Sequence, residues 1–280
     1  MKVVLIPVFR RPEFLTVCLE YIRAATYCDN YHYVFLCDFG YSRDNLNVIN
    51  QFPLSKEIIK RGKHKFKPIT KQSYNLLEGY RYAVELGAEK VYLIEDDIFI
   101  ANDFFKWHEQ AQQLHPLTIA TANNNTKFEV SNDLTRWYLG ANADYQSLGV
   151  CWDAELLKEL VLPHANDNYY KDPVGYCIKH LPGNIIGRHF VEQDGLIRRC
   201  IQDKVQALFP HVPRAFHAGF IGYNRRGRKP EGVTVDQKAK RVKEIAADPE
   251  LMKRYVERPE YYEDSKPINL VNENWEQLCI

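Results

Sequence analysis

The sequence has almost no net charge and lacks any apolar run of membrane-spanning length. Its 280 residues carry 37 Lys and Arg against 36 Asp and Glu, a formal net charge of +1, so the charge balance indicates no polyanionic partner for the protein as a whole. No apolar run reaches the about 18 residues that a transmembrane helix needs. The apolar segment after Met1 is too short for a signal peptide. We therefore expect a soluble, cytoplasmic protein without a membrane anchor.

Paired cysteine motifs and the common nucleotide-binding loops are also missing. The seven cysteines include no Cys-x-x-Cys pair, and most lie in apolar runs, which favours buried free thiols over disulfides. No Gly-x-Gly-x-x-Gly follows the first apolar run, and no Gly-x-x-x-x-Gly-Lys-Ser/Thr occurs. A dinucleotide-dependent dehydrogenase and a P-loop enzyme are therefore disfavoured.

Short apolar runs alternate with amphipathic segments in residues 1–100. Strands buried on both faces are predicted at residues 2–8, 33–37 and 91–95. Helices are predicted after Pro12 and at residues 70–86, where Gly87 is the C-cap, and residues 43–71 are expected to form a short helix and a loop. This alternation predicts an α/β fold with a mostly parallel, mixed central sheet flanked by helices.

The pattern is less regular farther along the chain. Helices are predicted at residues 101–114, 153–161 and 193–204, with a strand at residues 117–121. From residue 224 the sequence becomes charged, with one amphipathic stretch at residues 236–247. We expect no internal repeat and no linker before about residue 223.

Charged residues follow each of the first three predicted strands. Arg10 and Arg11 follow the first strand, Asp38 the second, and Glu95-Asp96-Asp97 the third. Ligands of parallel α/β sheets bind outside the carboxyl ends of the strands, so these side chains are candidate ligand contacts. For the arginine pair, a phosphate or nucleoside contact and an exposed helix start are both open.

The carboxylate triplet lies in an apolar frame, Leu-Ile before it and Ile-Phe-Ile after it. Three adjacent carboxylates in such a frame are costly unless a cation neutralises them. Hard oxygen ligands suit Mg²⁺ or Mn²⁺ bridging a diphosphate. The alternative is a solvated acidic turn, which would more often contain Gly, Asn or Pro.

The run Val-Tyr-Leu-Ile-Glu-Asp-Asp-Ile-Phe-Ile-Ala-Asn-Asp-Phe-Phe-Lys-Trp at residues 91–107 resembles the metal-motif segment of the GT-A glycosyltransferases, most closely the N-acetylglucosaminyltransferase I family. In that family a Glu-Asp-Asp triplet ends a buried strand and an Asp-Phe-Phe follows, as Asp103-Phe104-Phe105 does here. Weaker likenesses at residues 121–125, 147–152 and 192–199 keep the family's order, so the resemblance covers residues 1–222. It implies a GT-A (Rossmann-like) fold.

The resemblance implies roles for the residues at the donor site. Asp97 is expected to be the direct ligand of a Mn²⁺ or Mg²⁺ ion that holds the diphosphate of a UDP-sugar. Glu95 and Asp96 are expected to contact the ribose and the sugar. Asp38 is expected to read the uracil, with one of the two arginines after the first strand beside it.

The resemblance also implies a catalytic base. Asp194 is expected to be the base of an inverting transfer, with Glu192 as a competing candidate and a retaining mechanism as the rival. Gly195 replaces an aromatic residue of the family beside this base, which puts the sugar and acceptor pocket in doubt. Across the wider GT-A fold a late histidine often completes the metal site. His217 is the candidate here, and packing against Phe216 and Phe220 is its alternative role.

The implied domain organisation has two parts. Residues 1–222 would form the glycosyltransferase domain, with the nucleotide-sugar-binding half at residues 1–100 and the acceptor and catalytic half at residues 101–222. Residues 223–280 would form a charged C-terminal extension.

Basic residues cluster in two segments, residues 56–71 and 225–243. Such clusters are often solvated surfaces, but on a neutral protein they are also typical of a DNA-binding face. The candidate nucleic-acid contacts are Lys63, Lys65, Lys67, Arg225, Arg226, Arg228 and Lys229.

The acceptor is the least constrained part of the interpretation. A compact chain without an anchor and with basic clusters suits a phage enzyme that glycosylates 5-hydroxymethylpyrimidine in double-stranded DNA. A glycan, lipid-linked or protein acceptor is the alternative. Outside this class, a sugar-nucleotide nucleotidyltransferase and a non-catalytic nucleic-acid-binding module stay open.

Overall fold

The computed structural model describes residues 1–63, 66, 68–116, 118–123, 137–140, 145–181, 193–222 and 227–255. The first half contains β1 Lys2–Val8, α1 Pro12–Ala24, β2 His32–Cys37, α2 Arg43–Gln51, β3 Lys56–Lys60, α3 Pro68–Glu85, β4 Lys90–Leu93 and β5 Ile98–Ile100. The helices α4 Phe104–Leu114, α5 Ala154–Leu156, α6 Asp167–Lys171, α7 Pro173–His180, α8 Gln193–Cys200, α9 Val235–Ala247 and α10 Pro249–Tyr255 follow. The later strands are β6 Ile119–Thr121, β7 Trp137–Gly140, β8 Val150–Asp153, β9 Ala207–Pro210 and β10 Ala215–His217.

The central sheet is mixed, and within the described residues its strand order is β3-β2-β1-β4-β8-β6-β9-β7. Strands β3, β2, β1 and β4 are parallel neighbours. Strand β8 runs antiparallel to both β4 and β6, β9 is parallel to β6, and β7 is antiparallel to β9. Strands β5 and β10 form a separate antiparallel pair. The predicted α/β fold with a mostly parallel, mixed sheet is therefore confirmed.

Helices cover both faces of the sheet, so successive residues of β1 alternate between two buried layers. Val4, Ile6 and Val8 pack in the layer that contains α1, α4 and α9. Val3 and Leu5 pack in the layer that contains α3, α5 and α8. Burial on both faces explains why β1 is a continuous apolar run instead of an alternating one.

The prediction for residues 43–71 is partly wrong, because residues 56–60 form a strand. β3 pairs in parallel with β2 at the sheet edge. Its Lys-Glu-Ile-Ile-Lys sequence is only partly buried along the strand. An edge strand needs fewer apolar residues than a central one, so this segment carries no continuous apolar run.

Helix α9, which falls in the predicted charged extension, packs against α1. Val242 and Ile245 are fully buried in the same layer as α1, and Lys243 forms an ion pair with Glu20. A capping box at Thr234 begins the helix, with the Thr234 hydroxyl accepting from the backbone N–H of Gln237. The apolar face of this otherwise charged helix is thus buried in the same core layer as α1.

The sheet order creates a crevice where the site residues meet. The chain passes from β1 to β2 on one side, while β4 lies on the other side of β1. The carboxyl ends of β1 and β4 therefore border a topological switch point, which is where ligands bind in open α/β sheets. Arg11 follows β1 and Asp97 follows β4.

The described cysteines match a further expectation. The cysteines at positions 18, 37, 151, 177 and 200 are buried free thiols. None of the helices in the described ranges is both long and apolar enough to cross a bilayer.

Candidate active site

The carboxylate triplet lies in a tight, buried turn between β4 and β5. The backbone N–H of Ile98 donates to the carbonyl of Glu95 at 2.9 Å, which closes the turn. Asp96 and Asp97 are only 3% and 4% exposed. The alternative of a solvated acidic turn is therefore wrong, and the charge of these carboxylates must be balanced within the protein or by a ligand.

Arg11 supplies part of that balance. Its Nη1 donates to Asp97 Oδ2 at 2.6 Å and to the carbonyl of Ile221 at 2.9 Å, and its Nη2 pairs with Asp96 Oδ1. The arginine lies at the start of α1, and its guanidinium centre is 5.5 Å from the centre of the Phe14 ring. Arg11 is thus neither an exposed helix start nor a group directed toward Asp38.

Burial and neighbouring charges separate the pKa values of the three carboxyls. Burial raises the pKa of Glu95 to about 8, aided by the nearby charges of Asp97 and Asp194. Burial raises the pKa of Asp96 to about 6 although Arg11 opposes it. Burial would also raise the pKa of Asp97, but Arg11 and His217 outweigh it and hold that pKa below its usual range.

His217 lies beside Asp97 at the end of β10. Its Nε2 is 3.4 Å from Asp97 Oδ2, and the backbone N–H of Ala218 donates to the Asp97 carbonyl at 2.9 Å. A Cβ at Gly219 would lie 2.3 Å from Asp97 Oδ2 and 2.5 Å from His217 Nε2. Glycine is therefore required for these two side chains to approach each other.

The residues present fit a divalent cation that shares its ligands with a substrate. Asp96 Oδ2 and Asp97 Oδ1 are buried oxygens without a hydrogen-bond partner in the described part of the chain. That part contains no group of three or more His, Cys, Asp or Glu side chains arranged to hold a metal. Mg²⁺ is commonly held by one or two carboxylates together with substrate phosphates, and this donor set fits that arrangement better than an all-protein cage.

A second carboxylate reaches the same region from α8. Asp194 Oδ2 accepts from the Ser147 backbone N–H at 3.4 Å and lies 3.3 Å from the Ser147 hydroxyl. The same hydroxyl is 3.4 Å from Glu95 Oε1. Ser147 therefore connects the triplet to Asp194, which lies in the first turn of α8, where the helix dipole favours a negative charge.

The Ser147 loop is held by a glycine turn. Gly149 has a φ of +68°, and a Cβ there would lie 2.8 Å from the Ala215 Cβ. His108 Nε2 lies 3.1 Å from the Gly149 carbonyl, and burial lowers the pKa of His108 to about 3. The imidazole is thus neutral, and its Nε2–H can donate to the Gly149 carbonyl. This hydrogen bond holds the turn that presents Ser147.

Arg10 and Asp38 follow β1 and β2, at the carboxyl ends of these strands but apart from the triplet. Arg10 Nε donates to the Gly40 carbonyl at 2.7 Å, and its guanidinium centre is 5.0 Å from the centre of the Phe9 ring. Asp38 Oδ1 accepts from the backbone N–H of Phe39 at 2.7 Å. Phe9 and Phe39 are both exposed there, so two aromatic rings flank the predicted nucleoside position.

The predicted nucleic-acid contacts are only partly described. Lys63, Arg228 and Lys229 are exposed. Lys63 follows β3, at the same edge of the sheet as the triplet, and the backbone N–H of Arg228 donates to the Tyr255 carbonyl at 2.9 Å. The other predicted nucleic-acid contacts, at Lys65, Lys67, Arg225 and Arg226, lie outside the described residues, and so does Glu192, the competing candidate for the base.

Sequence reasoning missed the contacts of Arg11 and Ser147. The segment 147–152 resembles a stretch of the glycosyltransferase family, but nothing in it marks Ser147 as the residue that contacts two carboxylates. The signal for Arg11 was its place directly after a buried strand, on the same sheet edge as the acidic triplet. An arginine there is the nearest available counter-charge.

No protein-family model matches the chain, and no curated protein matches its sequence. Among solved structures it is similar to S. aureus TarS 1–349 in complex with UDP-GlcNAc, with 11% identity, a TM-score of 0.46 and coverage of 74% of this chain and 57% of that one. It is also similar to the mannosyltransferase PcManGT from Pyrobaculum calidifontis in complex with GDP-Man and Mn²⁺, with 10% identity, a TM-score of 0.49 and coverage of 78% and 59%.

A third similar structure is a cytidylyltransferase from Leptospira borgpetersenii, with 11% identity, a TM-score of 0.39 and coverage of 64% of this chain and 72% of that one. The chain spans 57% of the TarS chain and 59% of the PcManGT chain, so a large part of each has no counterpart here. The identities and TM-scores are too low to carry an activity from these proteins to this one.

Proposed function

We propose that this chain is a metal-dependent glycosyltransferase that moves a sugar from a UDP-sugar to an acceptor hydroxyl with inversion. The observation that carries the proposal is the meeting of two acidic groups at the switch point of the sheet. Asp96 and Asp97 form a buried pair with unsatisfied oxygens among the described residues, and Asp194 is linked through Ser147 to Glu95, the first residue of the same triplet. The Asp96–Asp97 pair is suited to hold a cation and a diphosphate, and Asp194 is suited to accept a proton.

The donor would lie along the carboxyl ends of β1, β2 and β4. Asp97, with His217 beside it, would hold a divalent cation, and that cation would neutralise charge on the departing nucleotide diphosphate. The nucleoside would lie at the β1–β2 end of the crevice, where Asp38 can accept hydrogen bonds and the exposed rings of Phe9 and Phe39 offer stacking surfaces.

Asp194 would act on the acceptor. Its carboxylate takes the proton from the acceptor hydroxyl as that oxygen attacks the anomeric carbon from the face opposite the leaving group. One displacement of this kind inverts the configuration. A retaining enzyme would instead produce the same anomer as the donor, which proton NMR of the product distinguishes.

The first test is the hydrolysis of UDP-sugars in the presence of Mn²⁺, measured as the UDP that is released. Asp97→Ala is expected to abolish turnover and Mn²⁺-dependent UDP binding. Asp194→Asn is expected to lower turnover by about 100-fold or more with little change in donor affinity, since it removes only a proton acceptor. Asp167→Asn is the matched control, because Asp167 is an exposed aspartate in the first turn of another helix, α6.

Wild-type turnover in EDTA would contradict the metal role. An Asp194→Asn variant that turns over like the Asp167→Asn control would contradict the base assignment. Glu192→Gln is then the next variant, because Glu192 is the competing candidate for the base.

For the acceptor, we propose 5-hydroxymethylpyrimidine in double-stranded DNA, as in phage DNA modification. The supporting observation is the exposed positive charge of Lys63, Arg228 and Lys229 on a protein of net charge +1. Phosphate contacts of this kind make binding fall steeply with salt, with a log–log slope of about −0.9 per neutralised phosphate.

The acceptor is tested by reversing these charges to Glu and measuring transfer to hydroxymethylated DNA across a salt series. UDP-sugar hydrolysis is expected to persist while DNA transfer is lost. A glycan, lipid-linked or protein acceptor predicts the opposite result, transfer that is indifferent both to salt and to the charge reversal.

A further inference from the structure

The carboxylate pair at the switch point, Asp96 and Asp97, is already paired with a positively charged side chain of the protein. The guanidinium of Arg11 contacts both members of the pair, Asp97 at 2.6 Å and Asp96 through its other terminal nitrogen. The carbonyl of Ile221 accepts from the same Nη1 at 2.9 Å. A Cβ at Gly222 would lie 3.3 Å from that nitrogen, so the chain packs closely around the guanidinium.

We propose that Arg11 is the resident counter-ion of Asp96 and Asp97, and that it makes binding of a divalent cation depend on binding of the nucleotide diphosphate. In the free protein Arg11 balances part of the negative charge of the pair. When the donor arrives with the cation, Arg11 exchanges the carboxylates for diphosphate oxygens. This inference rests on the proposed function, since it assigns an order of binding to the same site.

Charge balance is the first reason for this coupling. A cation at Asp97 would lie close to the positive guanidinium on the same carboxylate, and like charges at that distance repel strongly when they are partly buried. The diphosphate brings the negative charge that removes the repulsion. Each of the two ligands, the cation and the diphosphate, therefore removes an electrostatic penalty that the other would incur if it bound alone.

The chemistry of arginine is the second reason. A planar guanidinium pairs with carboxylate and phosphate oxygens in the same two-pronged geometry. Arg11 can therefore change partners without losing charge-assisted hydrogen bonds. A lysine in this place, with a compact ammonium, could not keep the same pair of contacts on either partner.

The two unsatisfied oxygens make the exchange possible. Asp97 Oδ1 and Asp96 Oδ2 lack hydrogen-bond partners among the described residues, whereas Oδ2 of Asp97 and Oδ1 of Asp96 face Arg11. The carboxylates thus present one oxygen each to the guanidinium and keep one each for another ligand. Entry of a cation need not wait for complete departure of Arg11.

The test is a Mn²⁺ titration of the full chain, with free Mn²⁺ followed by electron paramagnetic resonance, in the presence and absence of UDP. For the wild type we expect weak binding of Mn²⁺ alone and an affinity about tenfold or more higher with UDP, with UDP affinity raised by Mn²⁺ to the same extent because coupling is reciprocal. For Arg11→Gln we expect tighter binding of Mn²⁺ alone and a much smaller effect of UDP.

Arg23→Gln is the matched control, because it removes an exposed arginine in the last turn of the same helix, α1, outside the proposed site. It is expected to bind Mn²⁺ alone like the wild type. If Arg11→Gln does not fold, Arg11→Lys keeps a positive charge in place. We expect it to lower the UDP effect on Mn²⁺ affinity, because an ammonium cannot pair with both carboxylates.

The outcomes separate this inference from the proposed function. Equal Mn²⁺ affinity of the wild type and Arg11→Gln in the absence of UDP overturns the inference, as does UDP binding that leaves Mn²⁺ affinity unchanged. In either case the proposed function survives, because UDP still binds. Absence of both UDP and Mn²⁺ binding in the wild type overturns the proposed function and the inference together.

Discussion

Ser147 holds one carboxylate oxygen of Asp194 with two groups, its backbone N–H at 3.4 Å and its hydroxyl at 3.3 Å. The serine lies in the loop before β8 and the aspartate in the first turn of α8. The serine hydroxyl also lies 3.4 Å from Glu95, so Ser147 bridges the first turn of α8 and the turn that follows β4. Ser147 thus contacts the proposed base, Asp194, from a loop that belongs neither to α8 nor to the turn after β4.

Ser147→Ala removes the hydroxyl but keeps the backbone contact. We expect turnover to fall by about 10- to 100-fold with little change in the KM for the donor, because a small misplacement of a reacting group costs rate more than binding. Ser147→Thr keeps a hydroxyl and is expected to recover part of the rate. The measurement is steady-state UDP release, and equal kcat values for Ser147→Ala and the wild type would show that the hydroxyl does not position Asp194.

The raised pKa of Glu95 predicts how stability changes with pH. Its pKa is 4.5 in the absence of the fold and about 8 in the folded protein, so between these pH values the folded state binds more protons than the unfolded state. The free energy of unfolding therefore contains a Glu95 contribution that falls as pH rises from about 4.5 to 8.

Glu95→Gln removes this contribution and is expected to raise Tm at pH 8–9 relative to the wild type, with less difference near pH 5. For a domain of about 150–250 residues, each kcal/mol corresponds to about 2–4 °C. Thermal unfolding across a pH series without added metal measures the effect. Glu85→Gln, at an exposed glutamate of α3, is the control, and a Glu95→Gln curve that parallels it would contradict this interpretation.

Gly219→Ala places a methyl group against two site residues. The new Cβ would lie 2.3 Å from Asp97 Oδ2 and 2.5 Å from His217 Nε2, so the two side chains must separate. We expect a loss of Mn²⁺-dependent turnover of about 100-fold, as for other misplacements of reacting groups, with the cooperative unfolding transition retained.

Gly62→Ala is the control for this change, since a Cβ at Gly62 has no heavy atom within 4 Å. It is expected to leave turnover unchanged. Turnover of Gly219→Ala equal to that of Gly62→Ala would show that the close approach of Asp97 and His217 is not required.

The buried ion pair of Asp103 and Arg214 predicts a large effect on stability. Arg214 is 1% exposed, and its Nε lies 3.2 Å from Asp103 Oδ2. Asp103→Ala leaves the arginine charge buried without this carboxylate, and we expect a loss of about 3–5 kcal/mol in the free energy of unfolding. Urea unfolding measures it.

Two variants sharpen that measurement. Asp103→Leu combined with Arg214→Met is expected to recover much of the loss, because replacing both partners removes both charges of this pair from the interior. Glu155→Ala breaks an exposed pair with Lys158 at 3.2 Å and is expected to cost at most about 1 kcal/mol. If Asp103→Ala costs no more than Glu155→Ala, the buried pair does not stabilise this fold.

The sequence by itself determined the parallel core of the fold and the edge at which the site lies. Continuous apolar runs define β1, β2 and β4, because strands covered on both faces carry no polar alternation. The carboxyl ends of parallel strands share one edge of the sheet. The pattern therefore predicted that Arg11, Asp38 and the triplet at 95–97 lie along that edge, without any knowledge of their contacts.

Only the tertiary structure decided which of these groups touch. The partner of Arg11 depends on the packing of α1 against β5, and the contact of Ser147 with Asp194 joins residues 47 positions apart. β3 was also invisible in the sequence, since a partly buried edge strand has no apolar run to mark it. Local periodicity reports how a segment is buried, whereas contacts between side chains distant in the chain depend on how whole elements pack.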